Sequence, residues 1–529
     1  MGRLAWGVNG GPKHVSASPS TQPGEERVTM DPAQRLFGMY IGGGYRPAQS
    51  GNVFVVANPK DRSVVAEVAE GDAADIDAAV AAAHTALPGW SSLSGAKRGD
   101  LMHAAADALA RRLPELVDVE IDQTGRPRCE MAAQLARLPE WFRYFGAVAR
   151  THEDTVPPFG GNFLNYTKRV PLGVVGHITP WNHPLLILTK KVAPSMAAGN
   201  TMVVKPSELA PITALLLGEV LKEAGIPDGV YNVVPGFGST AGLALASHPQ
   251  VRKIDLTGGT PTGKAVAAIA GANLTRISAE LGGKAAVIVF PDMAIEQAVA
   301  AALFAAFIAS GQTCVQGARL LVHRSIHDDV VRGLVQRVQA IRLGDPRDPR
   351  TQMGPLISGR QRDIVEQYVR IGVDEGATLA AGGRRPQGSL FDAGYYYLPT
   401  VFTNVTGAMR IAQDEIFGPL VCVMSFDTEE EAVALANGTA YGLAASVWTR
   451  DLTRAHRVAG ALECGVTWIN DHHRIDPASP WGGFRMSGLG RENGLVAYED
   501  YTQIRNVIVN LSDTPFDWYA GDGAPARYS

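Results

Sequence analysis

Between residues 173 and 259 the chain repeats one pattern, a short β-branched run ending in Gly or Pro and then a helical stretch. The runs are "GVVGHITP" (173–180), "TMVVKP" (201–206), "VYNVVPG" (230–236) and "KIDLTGG" (253–259). "LLILTKKVAPSMAAG" and "PITALLLGEVLKEAG" lie between them. Strand, turn and helix in alternation specify a parallel sheet with crossover helices, since parallel neighbours cannot be joined by a tight hairpin. In such sheets ligands bind outside the carboxyl ends of the strands, where these Gly and Pro turns fall. A second alternating block, from "AAVIVF" (285–290) to "GVTWIN" (465–470), implies a second α/β domain. Upstream, "DAADIDAAVAAAHTAL" begins an alanine-rich helical region running to about Arg112, with Ile76, Val80 and Ala83 at helical spacing.

A chain of 529 residues exceeds one compact core, so two or three domains are expected. Its formal net charge of −4 gives no electrostatic case for nucleic acid or an anionic membrane, and a small molecule is the expected partner. The four cysteines (Cys129, Cys314, Cys422 and Cys464) show no paired or metal-ligand spacing. A disulfide framework or metal site is therefore not expected, and reduced thiols suit the cytoplasm. Residues 1–35, rich in Gly, Pro, Ser and charge, read as a flexible leader without the apolar core of a signal peptide. The uncharged run 297–318 is long enough to span a bilayer, but its alanine content and its Ser and Gln residues make it a buried helix.

Two turns compete for a phosphate. "GFGSTA" (236–241) fits the dinucleotide fingerprint, though Asp255 sits inside the next strand rather than at its end. "LTGGTPTGKAV" (256–266) ends a strand, offers two glycines and places Pro261 at a helix start, where free N–H groups attract a pyrophosphate. "KPSELAP" (205–211) adds a cation and a carboxylate just past a strand, and Glu208 there suits ribose hydroxyls and repels a 2′-phosphate.

Cys314 lies in "ASGQTCVQGAR" (309–319), a polar turn after the alanine-rich run. Ser310, Gln312 and Thr313 are poor core packers, while Gly311 and Gly317 allow close backbone approach to a ligand. A small buried thiol and a nucleophile both fit these residues. Two further segments favour the nucleophile. "AELGGKAA" (279–286) puts Glu280 at the lip of a strand, and "TPWNHPL" (179–185) fixes Asn182 between prolines, where its amide can face a developing oxyanion.

"PWNHPL", "KPSELAP", "LTGGTPTG", "AELGGK", "GQTCVQGAR", "DEIFGPL" (414–420), "YGLAASVWT" (441–449) and "PWGGFRMSGLGREN" (480–493) occur in this order. Over roughly residues 40–510 the chain resembles the aldehyde dehydrogenases. The resemblance implies an α/β fold of two Rossmann-like parallel-sheet domains, one cofactor-binding and one catalytic, plus a small β oligomerisation arm. It places the NAD-binding domain at 36–152 and 172–282, the catalytic domain at 283–497, the arm at 153–171 and 498–512, and a tail at 513–529.

It also implies roles for residues. Cys314 resembles the nucleophile, Glu280 the general base and Asn182 the oxyanion donor; Lys191 and Glu492 resemble residues linked to proton transfer. Lys205, Ser207 and Glu208 match an adenosine-ribose site. Trp181, Gly258 and Gly263 match positions beside the pyrophosphate and its helix, and Thr179, Gly259 and Leu281 belong to the same implied cofactor site. The resemblance demotes the fingerprint turn, so that Gly238 within it and Gly242 just after it fall near the adenine. Glu415 and Phe417 match the nicotinamide contacts. NAD is the implied cofactor, with NADP left open. The implied reaction is attack of the thiol on an aldehyde, hydride transfer, and hydrolysis of the thioester by a water that Glu280 activates. Relatives that pass the acyl group to coenzyme A often lack this carboxylate, so its presence points to hydrolysis. A catalytically silent protein of the same fold would tend to lose the thiol or the base.

Three positions depart from the commoner pattern: Gly259 replaces a serine, His183 an aromatic residue and Trp481 a phenylalanine. The expected substrate pocket comprises His183, Thr313, Val315, His473 and Trp481. In the loop "NDHHRIDPASPW" (470–481), His472, His473 and Arg474 suit a polar or anionic aldehyde, and Trp481 an aromatic ring or a quaternary ammonium. An aromatic or bulky aldehyde is preferred over betaine-like or semialdehyde substrates, and a homodimer or homotetramer is expected.

Overall fold

The computed structural model describes residues 35–513 and residue 519. The leader before residue 35 and the rest of the tail lie outside the described residues.

The first sheet has five parallel strands at its centre, in the spatial order Arg276–Glu280, Val251–Thr257, Val174–Ile178, Thr201–Lys205, Tyr231–Val233. Every residue of Val174–Ile178 and Thr201–Lys205 is buried, as expected for strands covered on both faces. In chain order the sheet begins at Val174–Ile178, grows to one side, and then returns to the other. Winding therefore reverses between Val174–Ile178 and Val251–Thr257, and such a reversal opens a crevice at the carboxyl ends. Thr179, Trp181 and Asn182 leave one of those ends, and Gly258 and Gly259 leave the other. Antiparallel strands complete the edges. Gly488–Leu489, from late in the chain, pairs with Arg276–Glu280 and sets Gly488 opposite Glu280.

Helix Pro184–Ala197 crosses between two of these strands with all 14 residues buried. Pro184 suits its first turn, but His183 makes no side-chain cap. The carboxylate of Glu120, on helix Gly95–Thr124, instead accepts from the Leu185 N–H at 3.2 Å. The alanine-rich region divides into helices Ala73–Ser91 and Gly95–Thr124. Asp72 and Asp75 form a capping box at the first, and Ile76, Val80 and Ala83 face the core as their spacing predicts.

The second sheet orders seven strands as Thr378–Ala381, Thr400–Thr403, Leu420–Phe426, Arg319–His323, Ala286–Val289, Ala444–Trp448, Val466–Ile469. All are parallel except the first pair. The uncharged run contains helix Ile295–Phe307, which ends before the cysteine turn. No helix among the described residues is long and apolar enough to cross a membrane. Strands Phe163–Pro171 and Thr502–Asn510 form a separate antiparallel ribbon on which Ile504 and Ile508 are exposed.

Candidate active site

The cysteine turn is rigid because its polar residues are buried and bonded, not because it lies at the surface. Ala309, Ser310 and Gly311 take left-handed backbone angles in succession, a strained sequence for the first two. The Ala309 N–H donates to the Glu130 carboxylate at 3.2 Å, and the Ser310 hydroxyl to the Gly354 carbonyl at 2.9 Å. Gln312 accepts from the Ile357 N–H at 3.0 Å, while Gln316 donates to the carbonyls of Ala306 and Gly418 at 3.0 and 2.7 Å. A Cβ at Gly311 would lie 2.1 Å from the Gly418 carbonyl oxygen, so only glycine fits.

Cys314 is half-buried at the end of this turn. Burial pushes its thiol up to about 12, with Glu280, Glu415 and Glu492 adding to the shift and Lys190 opposing it. Asn182, buried at the end of its strand, donates its amide to the Gln312 carbonyl at 3.0 Å. Three of the residues singled out in the sequence thus meet at one place, drawn from both sheets. Glu280 is buried, and one of its carboxylate oxygens has no hydrogen-bond partner.

Burial, and then the nearby charge of Glu492, hold the Glu280 carboxyl well above the ordinary range, against Lys190 and Lys191. For Glu492 burial also favours the neutral form, but Lys190 and Lys191 outweigh it and hold the group ionised. Those lysines lie 2.5 and 2.6 Å from Glu492. Lys191 also pairs with Asp255, which accepts from the Tyr501 hydroxyl. Two carboxyls with opposed shifts are the pattern of a proton-handling pair.

The expected cofactor residues lie on turns and helix starts next to strands of both sheets. Gly259 begins helix Thr260–Ala272 without a side-chain cap, leaving first-turn N–H groups open to an anion. Gly263 lies under Leu281, and the Gly258 N–H donates to the Glu280 carbonyl at 3.0 Å. The Thr179 N–H donates to the Lys205 carbonyl at 3.1 Å; the buried Lys205 ammonium stands 3.7 Å from the partly exposed Glu208, and Ser207 is buried between them in sequence. Gly238 and Gly242 bound a single π-helical turn, and Gly242 faces the Lys205 side chain. Glu415 accepts from the Gly283 N–H at 2.9 Å, and burial pushes its carboxyl up to about 7. The Phe417 ring meets Trp181 edge-on, 5.3 Å between centroids.

The expected pocket residues separate into two groups. His473 approaches Thr313 at 3.0 Å and packs near His183 and Phe304, with centroids at 5.9 and 6.3 Å. Trp481 lies beneath the Lys190 ammonium, 4.7 Å from the ring centroid. Val315, by contrast, is fully buried in an apolar cluster with Leu443, Trp468 and Trp481. In the loop beyond, His472 is also buried, approaching the Val315 carbonyl at 2.8 Å, and Arg474 points to solvent beside Asp471.

Sequence reasoning missed Lys190, Arg126 and Glu130. The lysine pair in an otherwise apolar run was the available signal for Lys190. Arg126 pairs with Glu130 at 2.9 Å, meets the His183 Nδ1 at 2.6 Å and donates to the Asn182 carbonyl at 3.4 Å, so it braces the strand end that carries the amide. Among the described residues no cluster of His, Cys, Asp or Glu could hold a metal ion.

A buried amide, a thiol on a strained turn and a carboxyl with raised proton affinity, set beside a doubly wound crevice, mark this place as the candidate active site of an enzyme. The model of the aldehyde dehydrogenase family matches residues 45–507, and the chain belongs to that family. It is 41% identical over 488 residues to a betaine aldehyde dehydrogenase of Bacillus subtilis (strain 168), covering 91% of this chain and 99% of the relative. It is 44% identical to PnpE from Pseudomonas sp. WBC-3, whose structure superposes with a TM-score of 0.89 over 92% of this chain and 100% of that one. PnpE has also been solved in complex with nicotinamide adenine dinucleotide, and that structure gives a TM-score of 0.89 at 44% identity, covering 91% of this chain and 99% of that one.

Proposed function

We infer that the protein oxidises an aldehyde to its carboxylic acid with NAD, through a covalent intermediate on Cys314. The observation that carries this reading is the meeting of Cys314, Asn182 and Glu280 at the crevice. NAD fits the residues present. The open start of helix Thr260–Ala272 suits its pyrophosphate, Glu208 beside Lys205 a free ribose 2′-hydroxyl, and Glu415 and Phe417 the nicotinamide end. Bound there, NAD supplies the hydride acceptor.

The chain's own residues do the rest. Cys314, half-buried, releases its thiol proton to solvent and attacks the carbonyl carbon as the thiolate, giving a thiohemiacetal whose oxyanion is held by the Asn182 amide and the Cys314 N–H. Loss of hydride leaves a thioester. Glu280, whose proton affinity is raised by burial, takes a proton from water as that water attacks, and the acid departs. Lys191 and Glu492 lie behind the base, a position suited to carrying its proton away.

The rings of Phe304, His473 and His183, packed in that order, suit a flat aromatic or bulky aldehyde. We assign residues 36–152 and 172–282 to cofactor binding and 283–497 to catalysis. The exposed apolar side chains of the ribbon suit a homodimer or homotetramer, with 153–171 and 498–512 as the pairing arm. Four cysteines without a disulfide suit the cytoplasm.

The test is NADH formation, followed by absorbance, across a panel of aldehydes with and without coenzyme A. Free acid at a rate indifferent to coenzyme A is expected, and acyl-CoA product would overturn the hydrolytic step. Cys314→Ala is expected to abolish turnover while still binding NAD; full activity in that variant would remove the nucleophile.

A further inference from the structure

The side chain at residue 183 is a histidine whose protonation its neighbours decide. Arg126 can only donate, and its Nη1 lies 2.6 Å from the His183 Nδ1, so that nitrogen accepts. Burial, with Arg126, His473 and Lys190 nearby, holds the ring neutral. Its one proton is therefore on Nε2, a buried donor without a hydrogen-bond partner. An orphaned buried donor costs free energy, so a ligand that satisfies it gains that much in binding. The ring belongs to the aldehyde wall, since it packs against His473, which in turn touches Thr313, the neighbour of the nucleophile.

Two cations stand around this donor. Arg126 polarises the imidazole from behind, and Lys190 sits over Trp481. The aromatic face that a quaternary ammonium would need is thus already covered by a cation of the chain itself. Each of these cations is itself paired, Lys190 with Glu492 and Arg126 with Glu130, so an anion here gains the hydrogen bond from Nε2 rather than a net positive field.

We propose that the substrate is an aldehyde bearing a carboxylate, which accepts the His183 Nε2–H and is selected over both uncharged and quaternary-ammonium aldehydes. This rests on the aldehyde-oxidising reading above and narrows it to a substrate class.

The test uses matched pairs in the NAD-dependent assay: 4-carboxybenzaldehyde against benzaldehyde, and succinic semialdehyde against butanal, with betaine aldehyde as the cationic probe. A bond from a buried donor to a charged acceptor corresponds to about 10- to 100-fold. In at least one pair the carboxylate member is expected to have the higher kcat/KM by about that factor, with betaine aldehyde below both members. His183→Phe is expected to collapse that ratio towards one, while His183→Gln, which keeps a donor, retains part of it. A ratio within one variant is insensitive to the fraction folded. No carboxylate preference in either pair, a ratio unmoved in His183→Phe, or betaine aldehyde as the best substrate would overturn the proposal while leaving aldehyde oxidation standing. No NADH from any aldehyde would instead remove the reading on which it rests, and this proposal with it.

Discussion

The Asn182 side-chain amide donates to the carbonyl of Gln312 at 3.0 Å, tying the end of a strand in one sheet to the turn that carries Cys314 in the other. One amide hydrogen is thereby used to fix orientation, and the second stays available to a substrate oxygen. Asn182→Ala removes both. Its kcat is expected to fall about 10²- to 10³-fold, the usual effect of losing one preorganised oxyanion donor. Steady-state kinetics checks this; a loss confined to KM would mean that Asn182 binds the ground state alone.

Glu280→Gln keeps the volume of the base and removes its basicity. In the proposed mechanism only deacylation draws on the carboxylate, so one enzyme equivalent of NADH should appear rapidly before turnover stalls. Stopped-flow absorbance at high enzyme concentration reads this directly, and a linear trace with no burst would count against the assigned role.

The ligand-free thiol is expected to alkylate slowly at neutral pH. Burial and three surrounding carboxyls push Cys314 up to about 12, so the thiolate, the reactive form, is scarce at pH 7. The rate of iodoacetamide labelling at the Cys314 peptide should keep rising through pH 10. A plateau near pH 8.5, where an unperturbed thiol levels off, would show that the site does not hold the proton.

Glu120 predicts a pH-dependent stability. Burial raises its carboxyl to about 7, against the hydrogen bonds from Thr213, Leu185 and Gln123. The folded chain therefore holds this proton more tightly than the unfolded chain does. The associated stability is complete below the unfolded value, near 4.5, and is lost as pH rises through about 7. Glu120→Gln, which stays neutral, should flatten the fall in melting temperature between pH 5 and 8, measured by calorimetry. An unchanged slope would place the effect elsewhere.

The parallel sheets were legible because buried strands read as β-branched runs punctuated by Gly and Pro, as at "GVVGHITP" and "TMVVKP". Cys314, Asn182 and Glu280 were legible for a related reason, each sitting at such a punctuation mark. Lys190 was not. It lies within an apolar helix, and its partner Glu492 arrives from the far end of the chain through the strand that docks beside Glu280, a pairing no local period encodes. The two adjacent histidines show the same limit: His472 meets the Val315 carbonyl and His473 faces Thr313 and His183, with a left-handed backbone at 473 between the two directions. Val315, next to Cys314 in the chain, is buried in a cluster with Trp481, a long-range neighbour that no local period encodes.

A Cβ on residue 283 would stand 2.4 Å from the carbonyl oxygen of Cys314. With Gly311 equally hemmed in, the reacting turn is held between two positions that accept no side chain at all. For anyone retargeting this catalyst, the tolerated and forbidden mutations therefore fall in different places. A saturation library at 183, 190, 473 and 481 is expected to shift substrate choice, whereas side chains at 283 and 311 are expected to cost activity whatever the substrate.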